Sequence, residues 1–415
     1  MRPLAGIRVI DLSMGWAGPL AARHLADMGA EVIKVESCER FDWWRGWEAT
    51  EAWIAQNAAE QSPSFNTVNR NKLDVTLDLT SAAGAALLKR LVAIADVVVE
   101  NYSAGVLPKL GLDYAELAKA NPQVVMLSMP AFGTTGPWAG YRAYGSTVEH
   151  ASGLPHLTGA AHWPPAMSHV AYGDAVGGLT GAAALLTALR HRKRTGEGQF
   201  LDLSQAEGLF PLGAHGILEQ AVSGKAPQRL GNRSATCAPH GVYPTRGADQ
   251  WLVLQVLTDE QWRALCDIAP PLRSFGDGAD RLARRDELDA TVAAWTRAED
   301  SRELMHRLQR AGVPAAAVYD MRDVLADPQL AARGFWQTTE RAYVGEQPGP
   351  VPPYRDADAP YRIETPAPTL GQHNRRVLGE LLGLADSELD GLARTGVIGD
   401  RPVLPKDRPV MPQGE

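Results

Sequence analysis

Asp174 stands directly before a long apolar stretch, Ala175 to Leu189, and it is the carboxylate whose position says most about chemistry. Asp favours the N-cap of a helix, where its side chain accepts orphaned backbone N–H groups. The helix dipole also holds a carboxylate at that end in its ionised form. An ionised, partly desolvated carboxylate can act as a covalent nucleophile. Cap and nucleophile occupy the same place, so spacing alone does not separate them.

The cations form a second group. Lys72 closes the run Asn69-Arg70-Asn71-Lys72, Lys109 lies past Asn101-Tyr102, and Arg142 follows a glycine-rich loop. Gathered at the ends of successive strands of one sheet, they would suit an anionic phosphate ligand. The first turn, Gly15-Trp16-Ala17-Gly18-Pro19, sits where a dinucleotide fold carries its phosphate loop. It lacks the GxGxxG spacing, and Pro19 removes one N–H, so a tight turn that starts a helix is the preferred reading. The ten histidines show no metal-ligand spacing, and no GxSxG elbow or cysteine nucleophile motif is present. Trp43, Trp44, Trp47 and Trp53 crowd a stretch without clear periodicity, which suits core or an aromatic pocket wall.

The elements that must position these residues alternate. GIRVID (6–11), EVIKV (31–35), Leu73 to Leu79, Val97 to Val99, Val124 to Leu127 and Gln199 to Leu203 read as strands. Helices are expected near 20–28, 81–95, 175–190 and 204–222. Strand and helix in alternation argue a parallel sheet with helices on both faces. After Gly231 the texture changes to a short hairpin, three helices and a strand at Ala315 to Val318, so 225–325 reads as a smaller α+β domain. Residues 345–368 carry seven prolines and read as an extended, wrapping segment. The last expected helix is Arg375 to Leu382.

Composition bounds the answer. The chain has 415 residues, 45% hydrophobic and 21% charged, with net charge −7. These values exclude a disordered, collagenous or coiled-coil chain, and the acidic balance speaks against nucleic acid. Three cysteines give no disulfide framework, which makes a reducing, cytoplasmic setting the expectation. The N-terminus lacks an h-region and the longest apolar run is too short for a membrane span, so neither secretion nor membrane insertion is expected.

Eight stretches, in order along nearly the whole chain, make a combined pattern. They are PLAGIRVIDLSMGWAGPLAARHLADMGAEVIKVE (3–36), NRNKLDVTLDL (69–79), ADVVVENYSAGVLPKLGLDY (95–114), FGTTGPWAG (132–140), the block from GDAVGG to LDLS (173–204), APHGVYPT (238–245), GVPAAAVYDMRDVLADPQLAARG (312–334) and PAPTLGQHNRRVL (366–378). Together they resemble the class III CoA-transferase family, also called CaiB/BaiF.

The resemblance implies an α/β fold. A Rossmann-like large domain is built from an N-terminal part (1–224) and a returning C-terminal part (326–415), with the small domain (225–325) inserted between them. Two subunits interlock, as a homodimer or as a heterodimer with a related subunit. The resemblance makes Asp174, in the GD motif, the catalytic nucleophile, passing through an acyl anhydride and an aspartyl-CoA thioester. It implies CoA contacts from Lys72, Asn101, Tyr102, Lys109 and Arg142, no metal and no permanently bound cofactor, the CoA thioester being a substrate. Cys38 replaces an arginine, so that contact is lost or moves to Arg40. Trp16 stands where some members have glutamine, and 232–241 lacks a run of glycines, which leaves open what forms the oxyanion hole.

Trp16, Trp47 and Tyr144 are the candidate walls of the acyl pocket. Arg45, Arg70 or His169 is a candidate to hold a second carboxylate, which would suit a dicarboxylyl-CoA donor such as succinyl-CoA. The identities of donor and acceptor are not readable from spacing. Two alternatives stand beside this reading. One is an α-methylacyl-CoA racemase, whose proton-moving histidine would fall at Tyr144, where a phenol is a poor shuttle at neutral pH. The other is a non-catalytic subunit of a two-subunit transferase, against which the intact Asp174 argues.

Overall fold

The computed structural model describes residues 2–47, 49–166, 170–356 and 361–404. Six parallel strands form the central sheet: β1 (Arg8–Asp11), β2 (Glu31–Glu36), β3 (Lys72–Thr76), β4 (Val97–Glu100), β5 (Val125–Ser128) and β6 (Gln199–Asp202). Their order is β3-β2-β1-β4-β5-β6, the doubly wound arrangement whose ligands bind beyond the carboxyl ends of the strands. Val, Ile and Leu dominate β1, β2, β4 and β5. Both faces of the sheet are covered, by one apolar cluster around Ile10, Ile33, Val98 and Leu91 and another around Val9, Val97, Leu25 and Leu185.

Strand β3 departs from expectation. Its alternating Asp74 and Thr76 predict a solvated face, yet both are fully buried. The C-terminal part of the chain covers this edge. His373 Nδ1 accepts Asp74 N–H at 3.1 Å, Asn374 Oδ1 accepts Thr76 N–H at 2.9 Å, and Gly371 N–H donates to Asp74 Oδ1 at 2.6 Å. An edge strand's unpaired groups are thereby satisfied. Val377, Leu378, Leu389, Val397 and Ile398 join the core beside it.

The helix Tyr172–Thr195 is the longest among the described residues and ends at Gly196, with Arg192, Lys193 and Arg194 in its last turn. Its start corrects the sequence reading. The N-cap is Ala171, so Asp174 lies inside the first turn rather than before it. Two glycines a turn apart, Gly178 and Gly181, face the helix Ala17–Asp27. A β-carbon at Gly178 would come within 2.8 Å of the Ala17 carbonyl oxygen, so the two helices approach backbone to backbone.

The chain divides into two compact units, one of Met1–Ser152, Ser168–Leu212 and Ala331–Glu415, the other of Gly153–Met167 and Gly213–Leu330. The second unit begins at 213 rather than 225 and takes 153–167 as well. The helix expected over 204–222 is split into a 3-10 turn, Glu207–Gly213, and the helix Ala214–Ser223; Pro211 lies in the turn, without an N–H for a helical ladder. The second unit holds the antiparallel sheet β7 (His240–Pro244), β8 (Trp251–Gln255) and β9 (Ala315–Ala317), packed on helices Asp259–Ile268, Arg285–Thr296 and Ser301–Arg310. A Thr258–Gln261 capping box starts the helix Asp259–Ile268.

Two further elements differ from the sequence reading. β10 (Trp336–Arg341) and β11 (Gly345–Pro350) pair as a hairpin where an extended segment was expected. Its prolines, Pro348 and Pro350, sit on a strand paired on one side only, where a missing N–H is tolerated. A helix, Asp386–Arg394, follows the π-helix Arg375–Leu381, which the sequence reading took as the last.

Candidate active site

Three helices begin around Asp174. It occupies the first turn of Tyr172–Thr195, and its carboxylate faces the backbone N–H groups of Ala17 and Gly145. Ala17 is the first residue of the helix Ala17–Asp27, and Gly145 the first of the helix Gly145–Ala151. Neither helix has a side-chain cap of its own, because Trp16 and Tyr144 stand at their N-cap positions. The first N–H groups of a helix need a partner from outside its ladder. The Asp174 carboxylate faces the first N–H of two neighbouring helices. A β-carbon on residue 145 would overlap Asp174 Oδ2, so glycine is what lets the carboxylate approach this amide.

Burial pushes the Asp174 carboxyl up to about 6, and the two N–H donors pull against that rise. At neutral pH the group is therefore mainly ionised, poorly hydrated, and aimed by two amides. That is a suitable state for a carboxylate nucleophile. The same amides could hold negative charge developing on an oxygen of Asp174.

Aromatic rings line this end of the sheet. Trp16 and Trp44 lie 5.7 Å apart between centroids, Trp43 and Trp47 4.6 Å, and Tyr144 stands edge-on to both Trp43 and Trp47 at 5.7 Å. The three sequence-predicted wall residues, Trp16, Trp47 and Tyr144, thus belong to one cluster, and two of them adjoin the Ala17 and Gly145 amides. Trp47 and Tyr144 are 65% and 60% exposed, so their faces remain open to a ligand.

The turn before Ala17 is clamped from below. Asn101 accepts the Met14 N–H through Oδ1 and donates through Nδ2 to the Met14 carbonyl, each at 2.8 Å. Asp42 Oδ1 accepts the N–H groups of Gly15 and Trp44 at 2.8 and 2.9 Å, and its other oxygen pairs with Lys34 at 2.9 Å. Lys34 also donates to the Ser13 carbonyl at 2.7 Å. Beside the clamp, at the carboxyl ends of β2 and β3, a cleft of about 100 Å³ is lined by Met14, Ser37, Arg40, Leu79, Tyr102 and Leu110, among others.

Comparison with known proteins agrees with the geometry. The model of CoA-transferase family III matches residues 4–374. The chain belongs to this family. It is 36% identical to a succinate–glutarate CoA-transferase of Agrobacterium fabrum, over 91% of this chain and 96% of that one. It is 34% identical to a succinyl-CoA–D-citramalate CoA-transferase of Chloroflexus aurantiacus, over 96% and 98%. A CaiB/BaiF family protein from Brucella suis has the same fold, with TM-score 0.80 and 33% identity, covering 91% of this chain and 99% of that one.

Not every residue that the resemblance singles out faces a ligand in this family III CoA-transferase. Lys72 is 1% exposed and its three donors are spent on Asp11 Oδ2 at 2.8 Å, the Pro19 carbonyl at 2.9 Å and Asn69 Oδ1 at 2.8 Å. Its place is structural, under the turn. Arg45 is buried between Glu36, Glu60 and Asp74, and Arg70 forks onto Asp27 at 2.9 and 2.7 Å. Both are consumed inside the fold and cannot meet a second substrate carboxylate; His169 lies outside the described residues. Lys109 and Arg142 are exposed and form no ion pair with a described residue.

Tyr102 and Arg40 line the cleft, whereas Cys38 packs beside Gly399. The donors that aim Asp174, Ala17 and Gly145, escaped sequence reasoning because they act through backbone; the GYRAYG sequence around Gly145 gives no signal for them. Among the described residues no three His, Cys, Asp or Glu side chains gather to hold a metal ion, and no helix is long and apolar enough to cross a membrane.

Proposed function

We propose that the enzyme moves CoA from a dicarboxylyl-CoA such as succinyl-CoA to a free carboxylic acid, with Asp174 as the nucleophile. The observation that carries this reading is the half-buried Asp174 carboxylate facing the Ala17 and Gly145 N–H groups. The dicarboxylate class rests on the relatives, two of which are named for succinate or succinyl-CoA with glutarate or citramalate.

An oxygen of Asp174 attacks the thioester carbonyl. The C–S bond breaks, CoA leaves as thiolate, and a mixed anhydride joins the acyl group to Asp174. The thiolate then attacks the Asp174 carbonyl carbon, the donor acid departs as carboxylate, and CoA is held as an aspartyl thioester. The acceptor carboxylate attacks that thioester and the two steps run in reverse, restoring Asp174. No electron or net proton is exchanged, so the scheme calls on no redox cofactor. Covalent capture keeps the thioester free energy and divides one exchange into smaller steps. When the thiolate adds to the Asp174 carbonyl, the oxyanion forms on an oxygen that already faces an amide donor.

In this reading the cleft by Tyr102 and Arg40 receives the coenzyme nucleotide, Lys109 and Arg142 meet its phosphates, and Trp16, Trp47 and Tyr144 wall the acyl group. The helix Ala214–Ser223 leaves Ile217, Leu218 and Val222 more than half exposed. A second copy of the chain, interlocked with the first, would cover them. The racemase alternative finds no histidine at residue 144.

The test is to mix the enzyme with succinyl-CoA and a panel of free acids and score new thioesters by mass, with hydroxylamine added to trap acylated Asp174. A hydroxamate on Asp174 supports the mechanism. Transfer that proceeds with no label on Asp174 contradicts it.

A further inference from the structure

The clamp on the first turn and the wall of the nucleotide cleft share the same residues. Met14 lines the cleft, and so does Tyr102, the neighbour of Asn101. Asn101 spends its whole amide on Met14, one bond to the N–H and one to the carbonyl, each 2.8 Å. Tyr102 is fixed in turn, its N–H donating to buried Glu100 at 2.7 Å. Three residues beyond Met14 the chain enters the helix whose first N–H faces Asp174. A ligand seated in the cleft therefore presses on the same backbone that positions the nucleophile's donor.

We propose that Asn101 is a positioning residue of the transfer reaction, not chiefly a coenzyme contact: it transmits the seating of the CoA nucleotide through Met14 to the Ala17 N–H and so to Asp174. The inference rests on the CoA-transferase reading above. Binding energy from a remote, unreacting part of a substrate can be used at the reacting centre. A bidentate amide on a single residue's backbone is a stiff link for that purpose. The remaining groups of the turn, Gly15 and Ser13, are held by Asp42 and Lys34, so Met14 is where the nucleotide can act.

Two variants test this. Asn101→Ala removes both bonds. Asn101→Asp keeps the acceptor for Met14 N–H but sets an oxygen against the Met14 carbonyl, and it preserves size should the first variant fold poorly. In both, kcat for transfer should fall by about 100-fold, the order expected for an ångström-scale misplacement, while the Kd of free CoA stays within about threefold. The acid limb of kcat/KM should move to higher pH, because an amide that favours the Asp174 carboxylate is displaced. A loss of packing alone would not move that limb.

The nucleotide's part is read from an acyl-pantetheine thioester, which lacks it. Wild type should prefer acyl-CoA to this analogue in kcat, and the variants should lose the preference. A CoA Kd raised tenfold with kcat and acid limb unchanged would make Asn101 a plain coenzyme contact and overturn the proposal. An undiminished kcat preference for acyl-CoA in the variants would overturn it too. If wild type itself transfers no CoA between acids, the functional reading fails instead.

Discussion

The Asp174 carboxylate lies against the backbone of Gly145, the first residue of a helix whose own N-cap, Tyr144, provides no side-chain acceptor. A carboxylate on one helix thus stands against the start of another, and the group proposed to do the chemistry is also part of the scaffold. The consequences can be measured.

Gly145→Ala places a methyl group where Asp174 Oδ2 now lies. The carboxylate must retreat from the amide. Transfer activity should fall by about 100-fold or more, while circular dichroism remains that of the native fold. An activity within threefold of wild type would show that this close approach is not needed.

Asp174→Asn separates scaffold from chemistry. Transfer should vanish, since a neutral amide does not form the anhydride. Stability should hold or rise at pH 7.5, by on the order of 1 kcal/mol, because the variant no longer buries a charge that the folded state disfavours. The gain should fade as pH falls towards 4, where the wild-type carboxyl takes up its proton. A variant several kcal/mol less stable than wild type at pH 7.5 would contradict this balance.

The pH dependence has opposite signs for activity and stability. Asp174 must be ionised to attack, so kcat/KM should drop as pH falls through about 6. Its folded-state value lies above the unfolded carboxylate value, so between pH 6 and pH 4 the folded state binds more protons. The Asp174 contribution to stability therefore improves on acidification across that window. A pH–rate profile set beside Asp174-dependent stability, wild type minus Asp174→Asn, measures both limbs.

Lys72 and Lys109 should part company. Lys72→Met leaves Asp11 buried without its partner and should cost about 3–5 kcal/mol in urea unfolding. Lys109→Ala should leave stability unchanged and raise the KM for acyl-CoA several-fold. The reverse pattern would return Lys72 to the ligand.

Much of the sheet is legible from sequence because β-branched residues are grouped in β1, β2, β4 and β5. Asp174 is legible too, through its place before an apolar run, although the helix starts three residues earlier than that run suggests. Backbone donors such as Ala17 and Gly145 carry no side-chain signature, and only the fold brings them to Asp174. Basic residues misled for another reason. Lys72, Arg45 and Arg70 read as free cations because their counter-charges, Asp11, Glu36 and Asp27, lie between 9 and 61 residues away. The helix Asp386–Arg394 buries only Leu389, too little apolar pattern to announce itself.

The cover on β3 sets a schedule for synthesis. Asp74 and Thr76 find their partners, His373 and Asn374, 299 and 298 residues later. At about 5–20 residues per second a ribosome needs roughly 15–60 s to make that stretch. Until then the strand shows an open edge and carries a buried-type carboxylate with no lid. Open edges template pairing with other chains. A nascent chain stalled before residue 371 should therefore bind a chaperone or aggregate, and it should become protease-resistant only when residues 371–399 leave the exit tunnel.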